Sequence, residues 1–479
     1  MTPTTLKLFG PPGTGKTTAL LELFERAVED HGPARVAFLT FTRAARLEAS
    51  SRVLRSPEEL PWVRTLHSAC YKHLGLSAGR IVTAEALGVF GREVGLDLST
   101  VPPAPWQEEL YGWSEVKTAD DRLLVYDHLR RQRRLSLASA AGDLPAEVTR
   151  KYWSWFVESY EAWKYREGLL DYTDLLEQAR DAAPLPVKVL FVDEAQDLSP
   201  LQWEVVARLA AGCEQVVVAG DDDQAIFEWA GAAPYGLVDL PADKERVLSQ
   251  SYRLPVEVQS FAQVIARRIR RRKAKDYRPR PGAGEVVHDV VTPAVERNER
   301  TFVLYRNHVR AADLAEQLRR DGVPFTGPGA PLDTFAPWLR TYAALCQGQL
   351  VKREAALKLA RFTSPLLQVS MLDVFGSPHV WESWPALFRA YPQVAYLRAV
   401  ERKHGKPALL DPPVRLMSIH QAKGREADVV VVDPTMTKRT WQSYLRDPDA
   451  EHRVFYVAAT RAKRKLVLLA PAGSHAYGW

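Results

Sequence analysis

One segment near the amino terminus restricts the possible folds of this chain more than any other. Gly10-Pro11-Pro12-Gly13-Thr14-Gly15-Lys16-Thr17 fits G-x-x-x-x-G-K-[ST]. It lies between a predicted strand, Leu6–Phe9, and a predicted helix, Thr17–Glu29, which is the context that pattern requires. The glycines let backbone N–H groups close around phosphates, and the helix N-terminus adds partial positive charge. Lys16 would reach the β- and γ-phosphates, and the Thr17 hydroxyl would bind Mg²⁺. Gly10 through Thr18 are therefore the expected ATP-binding loop. The bland alternative, a glycine-rich turn, does not account for the strand before it and the helix after it.

Val192-Asp193-Glu194-Ala195-Gln196-Asp197 ends a second apolar run. A carboxylate at a strand's carboxyl end is often only a solvated cap. Paired with the Lys16 loop, Asp193 becomes the second expected Mg²⁺ contact, and Glu194 the base that orients and deprotonates a water. A base beside the metal carboxylate favours hydrolysis over kinase chemistry.

The rest of the chain reads as two α/β lobes with helical inserts. Val36–Phe41, Val187–Val192 and Gln215–Ala219 are strand-like runs separated by helical patterns, which implies a parallel sheet. Residues 1–75 and 169–247 are expected to form the first lobe, with a helical insert at 76–168. Residues 248–328 and 412–479 are expected to form the second lobe, with a short helical insert at 329–411. Trp153, Phe156, Tyr160 and Trp163 fall at helical spacing and read as a packing stripe. The proline- and glycine-rich stretch 327–337 reads as a linker.

Composition bears mainly on exclusions. Of 479 residues, 46% are hydrophobic and 25% charged, which excludes global disorder. The 3 cysteines are scattered, so neither a disulfide framework nor a zinc site is expected. No secretory leader or membrane-spanning run is apparent, so the expectation is a cytoplasmic protein with no membrane partner. The net charge of +6 is compatible with a polyanionic partner.

With the first two motifs in place, the chain resembles the UvrD/Rep-like superfamily 1A DNA helicases of the PcrA type, and the resemblance covers most of its length in order. The carriers are Leu39-Thr40-Phe41-Thr42-Arg43, Arg64-Thr65-Leu66-His67, Asp193–Asp197, Gly220–Ala232, Gln250-Ser251-Tyr252-Arg253, Ser418–Glu426 and Tyr456–Ala462. The resemblance implies two RecA-like P-loop NTPase lobes around an ATP cleft, with 3′→5′ movement on single-stranded DNA and action at single-strand/duplex junctions. It makes Gln224 a γ-phosphate sensor, and makes Arg253 and Arg461 arginine fingers supplied by the second lobe. Such fingers are worth roughly 10³–10⁵ in rate where measured in GTPases. Tyr252 would stack on the adenine, Glu426 would hold the ribose, and Gly424 would lie beside it.

The resemblance also implies sequence-blind DNA contacts at Phe41, Thr42, Arg43, Thr65, His67, Trp229 and His420. Aromatic stacking accepts any base. Read without the family, each aromatic is more often core and a lone histidine more often structural. Two basic runs, Arg130–Arg134 and Arg267–Lys273, read either as solvated helix faces or as phosphate-tracking surfaces. The chain departs from the family pattern in several places, among them Gln421, Arg425 and Ala427 where Ser, Leu and Phe are more usual. No glutamine-bearing adenine element precedes Gly10, Ala230 stands where arginine is usual, and the second insert is short. That short insert keeps open an ATP-switched DNA-binding or regulatory ATPase that does not separate strands. A nucleotide-dependent enzyme without nucleic acid, such as a kinase, fits the tandem lobes poorly.

Overall fold

The computed structural model describes residues 3–40, 59–98, 121–133, 150–289, 299–347, 349–362 and 393–479. They divide into two units, each built on a six-stranded sheet whose paired strands all run parallel. The α/β expectation is met.

The first unit comprises Met1–Leu254, Ala266–Arg280 and Asp449–Val454. Its strands are β1 (Thr4–Phe9), β2 (Val36–Thr40), β3 (Val63–Thr65), β4 (Val189–Val192), β5 (Gln215–Gly220) and β6 (Lys244–Val247), in the order β3-β2-β4-β5-β1-β6. β2 and β4 are buried along their whole length, as continuous apolar runs in a doubly covered parallel sheet should be. The Lys16–His31 helix buries Leu20, Leu21, Phe24, Ala27 and Val28, and Phe24 meets Phe38 and Phe191 edge-on. Pairing of Phe9 with Gly220, Leu39 with Val192 and Val192 with Val218 aligns the carboxyl ends of these strands. The loops that follow β1, β4 and β5 therefore emerge along one edge, where ligands bind in open parallel sheets.

The first helical insert has its own core. Phe90, Tyr126, Trp153, Phe156, Tyr160 and Trp163 lie together in it, so the four-aromatic stripe is packing. Within the Arg130–Arg134 run, Arg130 and Arg131 are not a solvated face, whereas Arg133 is exposed and pairs with Glu204. Arg130 is buried and paired with Asp171, Asp174 and Glu177, and Arg131 is buried and paired with Asp127. Glu161, Asp171 and Asp174 are close enough to share a cation, and Lys164 and Arg130 already supply positive charge there. In the second run Arg270 bonds Asp449, Arg271 bonds Asp239, Arg272 bonds Asp223 and Lys273 bonds Glu245; Arg272 is largely buried, while Arg267, Arg270 and Arg271 stay exposed. Both runs cross-link the unit internally because acidic partners distant in sequence are brought against them.

The first unit runs past the boundary expected at 247. Leu248 N–H donates to the Phe9 carbonyl at 2.9 Å, and Ser251 Oγ donates to the Pro12 carbonyl at 2.8 Å. These bonds carry the chain up to Leu254 alongside the phosphate loop. Residues 266–280 and 449–454, expected in the second lobe, join it through the ion pairs just described and those around Lys275.

The second unit comprises Pro255–Ile265, Pro281–Pro448 and Phe455–Trp479. Its strands are β7 (Glu285–Asp289), β8 (Thr301–Tyr305), β9 (Phe325–Thr326), β10 (Val414–Ser418), β11 (Ala427–Asp433) and β12 (Ala462–Leu469), ordered β7-β12-β11-β8-β10-β9. The expected linker at 327–337 is instead a short turn and the start of a helix, Pro331–Cys346. Pro331 opens that helix, where the missing N–H is harmless, and Pro337 lies within it. Phe335, Trp338, Leu359, Tyr396 and Leu397 of the short insert share one core with Val303, Phe325 and Val429 of the sheet. Among the described residues no helix is long and apolar enough to cross a membrane.

Candidate active site

The loop after β1 is shaped by backbone constraints that only glycine meets. Gly13 and Gly15 have φ of 71° and 73°, in the left-handed region that glycine enters without penalty. A Cβ on Gly10 would overlap the Lys16 stem, and one on Gly13 would overlap the Arg253 side chain. Gly10 N–H donates to the Gly220 carbonyl at 3.0 Å, which ties the loop to β5. Thr14 Oγ1 donates to the Pro11 carbonyl at 2.7 Å.

The Lys16 ammonium donates to Asp193 Oδ1 at 2.7 Å and to Glu194 Oε1 at 2.5 Å. Burial works against its charge, but the two carboxylates outweigh that and hold its pKa above the ordinary lysine range. Burial raises the Asp193 pKa in turn, against the pull of Lys16. Glu194 has φ 52° and ψ 37°, a left-handed backbone that costs a non-glycine residue about 1–3 kcal/mol and is concentrated at functional sites.

From Glu194 a buried polar chain crosses to the loop after β5. Gln196 Nε2 donates to Glu194 Oε2 at 2.6 Å, and Gln196 Oε1 accepts the Asp221 N–H at 2.9 Å. Gln224 Nε2 donates to Asp221 Oδ2 at 2.7 Å. The fully buried Lys275 ammonium lies 2.9, 2.5 and 3.0 Å from carboxylate oxygens of Asp221, Asp222 and Asp223. Burial opposes that charge, and the three aspartates outweigh it and raise its pKa. Gln196 was legible within the Asp193–Asp197 motif but had no role there. Lys275 had no local signal, because Asp222 is 53 residues away in sequence.

Tyr252 and Arg253 flank the same phosphate loop. Tyr252 N–H donates to the Gly13 carbonyl at 2.8 Å, while its side chain is 74% exposed and open to a ligand. Arg253 was expected from the second lobe, but its segment belongs to the first unit, held there by the Ser251 and Tyr252 bonds to Pro12 and Gly13. Arg461 belongs to the second unit and is buried. Its guanidinium donates to the Val457 carbonyl at 2.9 Å, the Arg425 carbonyl at 3.3 Å and Thr460 Oγ1 at 3.0 Å. Gly424 has φ 76°, and both it and Glu426 are exposed.

Of the expected DNA contacts, Phe41, Thr42 and Arg43 lie outside the described residues. Thr65 caps the Leu66–His73 helix, accepting the Ser68 N–H. Burial first, and the Arg131 guanidinium second, push the His67 imidazole down to about 3, so it is neutral at physiological pH. His67 also meets Tyr172 edge-on. His420 lies half-buried just beyond β10. Trp229 is half-buried, with its ring edge-on to Phe227 at 6.1 Å.

A family model described as the UvrD/REP helicase N-terminal domain matches residues 2–245. The chain belongs to the UvrD/REP helicase family. A second model, the UvrD-like helicase C-terminal domain, matches residues 413–469. The chain is 23% identical over 362 residues to "ATP-dependent DNA helicase PcrA" of Staphylococcus aureus, covering 68% of this chain and 49% of that protein. It is 25% identical over 371 residues to "ATP-dependent DNA helicase UvrD1" of Mycobacterium tuberculosis, covering 65% and 46%. It thus spans about half the length of the curated relatives it matches. Among solved structures, "The structure of PRRSV helicase" is a loose likeness, with TM-score 0.36 and 12% identity, covering 98% of this chain and 52% of that one.

Proposed function

We propose that this UvrD/REP-family chain is a cytoplasmic, Mg²⁺-dependent ATP hydrolase that moves 3′→5′ along single-stranded DNA and separates strands at junctions during repair, replication or recombination. The observation that carries the reading is the Lys16 ammonium held by Asp193 and Glu194 beside a left-handed glycine loop. An incoming polyphosphate would compete for that ammonium and for the loop's N–H groups, freeing the carboxylates. Thr17 and Asp193 offer the hard oxygen donors Mg²⁺ takes, and the ion when bound offsets phosphate charge. Glu194 would then accept a proton from the attacking water, while Gln224, Arg253 and Arg461 bind the γ-phosphate oxygens. Exposed Tyr252 would stack on the base, Glu426 and Gly424 would meet the ribose side, and Trp229 would stack on a DNA base.

ATP turnover with and without single strands, followed by strand displacement on 3′- and 5′-tailed duplexes, tests this. Turnover indifferent to DNA would end the reading, and displacement only from a 5′ tail would end the polarity. A second reading, ATP-switched DNA binding without strand separation, draws on the second insert. Its described helices share the sheet's core instead of forming a separate module. DNA-stimulated turnover with no displacement would favour it.

A further inference from the structure

The segment from Asp221 to Trp229 carries Gln224 near one end and Trp229 at the other, and a single buried guanidinium spans it. Arg453, 1% exposed, donates from Nε to the Asp222 carbonyl at 3.1 Å and from Nη1 to Glu228 Oε1 at 2.9 Å. Its Nη2 donates to the Arg271 carbonyl at 3.2 Å, and the group lies 5.5 Å from the Tyr235 ring centroid. Asp222, held by Arg453 through its backbone, is held by Lys275 through its side chain. Asp221, also held by Lys275, accepts the Gln224 amide. The two ends of the segment are therefore not free to move independently. A planar fork with five fixed donors suits such a brace, and a single ammonium cannot reproduce its separate directions.

We propose that Arg453 is a positioning residue, braced by Glu228, that makes Gln224 and Trp229 respond as one body, so that DNA at Trp229 raises the rate of ATP hydrolysis. The proposal rests on the reading of the site given above. Arg453 itself touches neither nucleotide nor DNA in that reading. It lies on the Pro448–Ala459 helix, whose residues from Phe455 onward are grouped with the second unit and precede Arg461. The brace is thus covalently continuous with the segment that carries the proposed finger.

The test compares wild type, Arg453→Lys and Glu228→Gln by ATP turnover with and without oligo-dT, together with oligo-dT affinity and melting temperature. Arg453→Lys keeps the buried charge, and Glu228 is partly exposed, so both variants are chosen to fold. The ratio of stimulated to basal kcat should fall about tenfold in Arg453→Lys, a typical coupling size, and by less in Glu228→Gln. Basal kcat, KM for ATP and oligo-dT affinity should each stay within about twofold. Full stimulation in both variants, or an equal fall in basal and stimulated turnover, overturns the coupling role. A wild type that oligo-dT does not stimulate defeats the reading of the site and this inference with it. A stimulated wild type with uniformly slowed variants defeats only the inference.

Discussion

The side chains proposed to act in the two units are held in different ways. In the first unit they bond to one another: Lys16 to Asp193 and Glu194, Glu194 to Gln196, Gln196 to Asp221, and Asp221 to Gln224 and Lys275. In the second unit, Arg461 is bonded by the Val457 and Arg425 carbonyls and Thr460, and Gly424 and Glu426 face solvent. The proposed hydrolytic groups of the first unit are thus oriented by one another. The proposed finger of the second unit, Arg461, is bonded to two backbone carbonyls and the Thr460 hydroxyl, and in the proposed role it would exchange these for phosphate oxygens. Preorganised groups contribute without reorganisation at the moment of reaction, so the second unit's contribution should depend more on which state the protein occupies.

Removing the second unit's charge should have the largest effect. Arg461→Ala is expected to lower kcat for ATP by about 10³ or more, with ATP binding largely kept, because the proposed finger acts only in the transition state. Near-normal single-turnover hydrolysis would reduce that unit to a scaffold and dissolve the contrast. Within the first unit, Glu194→Gln should lower turnover by about 10²-fold or more while retaining nucleotide binding, since the phosphate loop is left intact. Steady-state rates close to wild type would mean that another group takes the proton.

The third prediction concerns stability. Arg130→Met leaves Asp171, Asp174 and Glu177 around a buried site, with Lys164 alone among the described residues left paired to Asp171 and Asp174. Breaking such a network costs about 3–5 kcal/mol. Denaturant unfolding should show it, whereas a midpoint within error of wild type would return the run to a solvated face. Trp229→Ala should have the smallest effect, weakening single-strand affinity by about 1–3 kcal/mol, the value of one base–aromatic stack. Unchanged affinity would make Trp229 a packing partner of Phe227 and confine DNA recognition to other residues.

The glycine loop and the acidic strand end of the first unit were legible because their motifs are local. A glycine loop needs its left-handed residues at a set spacing, and Asp193-Glu194 follows directly on an apolar strand, so both can be read within eight or so consecutive positions. The two parallel sheets were legible for the same reason, as buried apolar runs alternating with helices. Chain neighbours alone could not say what neutralises what. Arg130 and Arg272 read as surface charge until folding placed acidic partners over them, and Pro331 read as a linker residue until the helix it opens was buried against β8 and β9. Arg453 meets Asp222 across 231 residues of sequence. Whether a charge is a solvated surface group or a buried brace depends on desolvation and on partners distant along the chain. The identity of the charged residue is written in the sequence; its desolvation is set only when the sheets and helices pack.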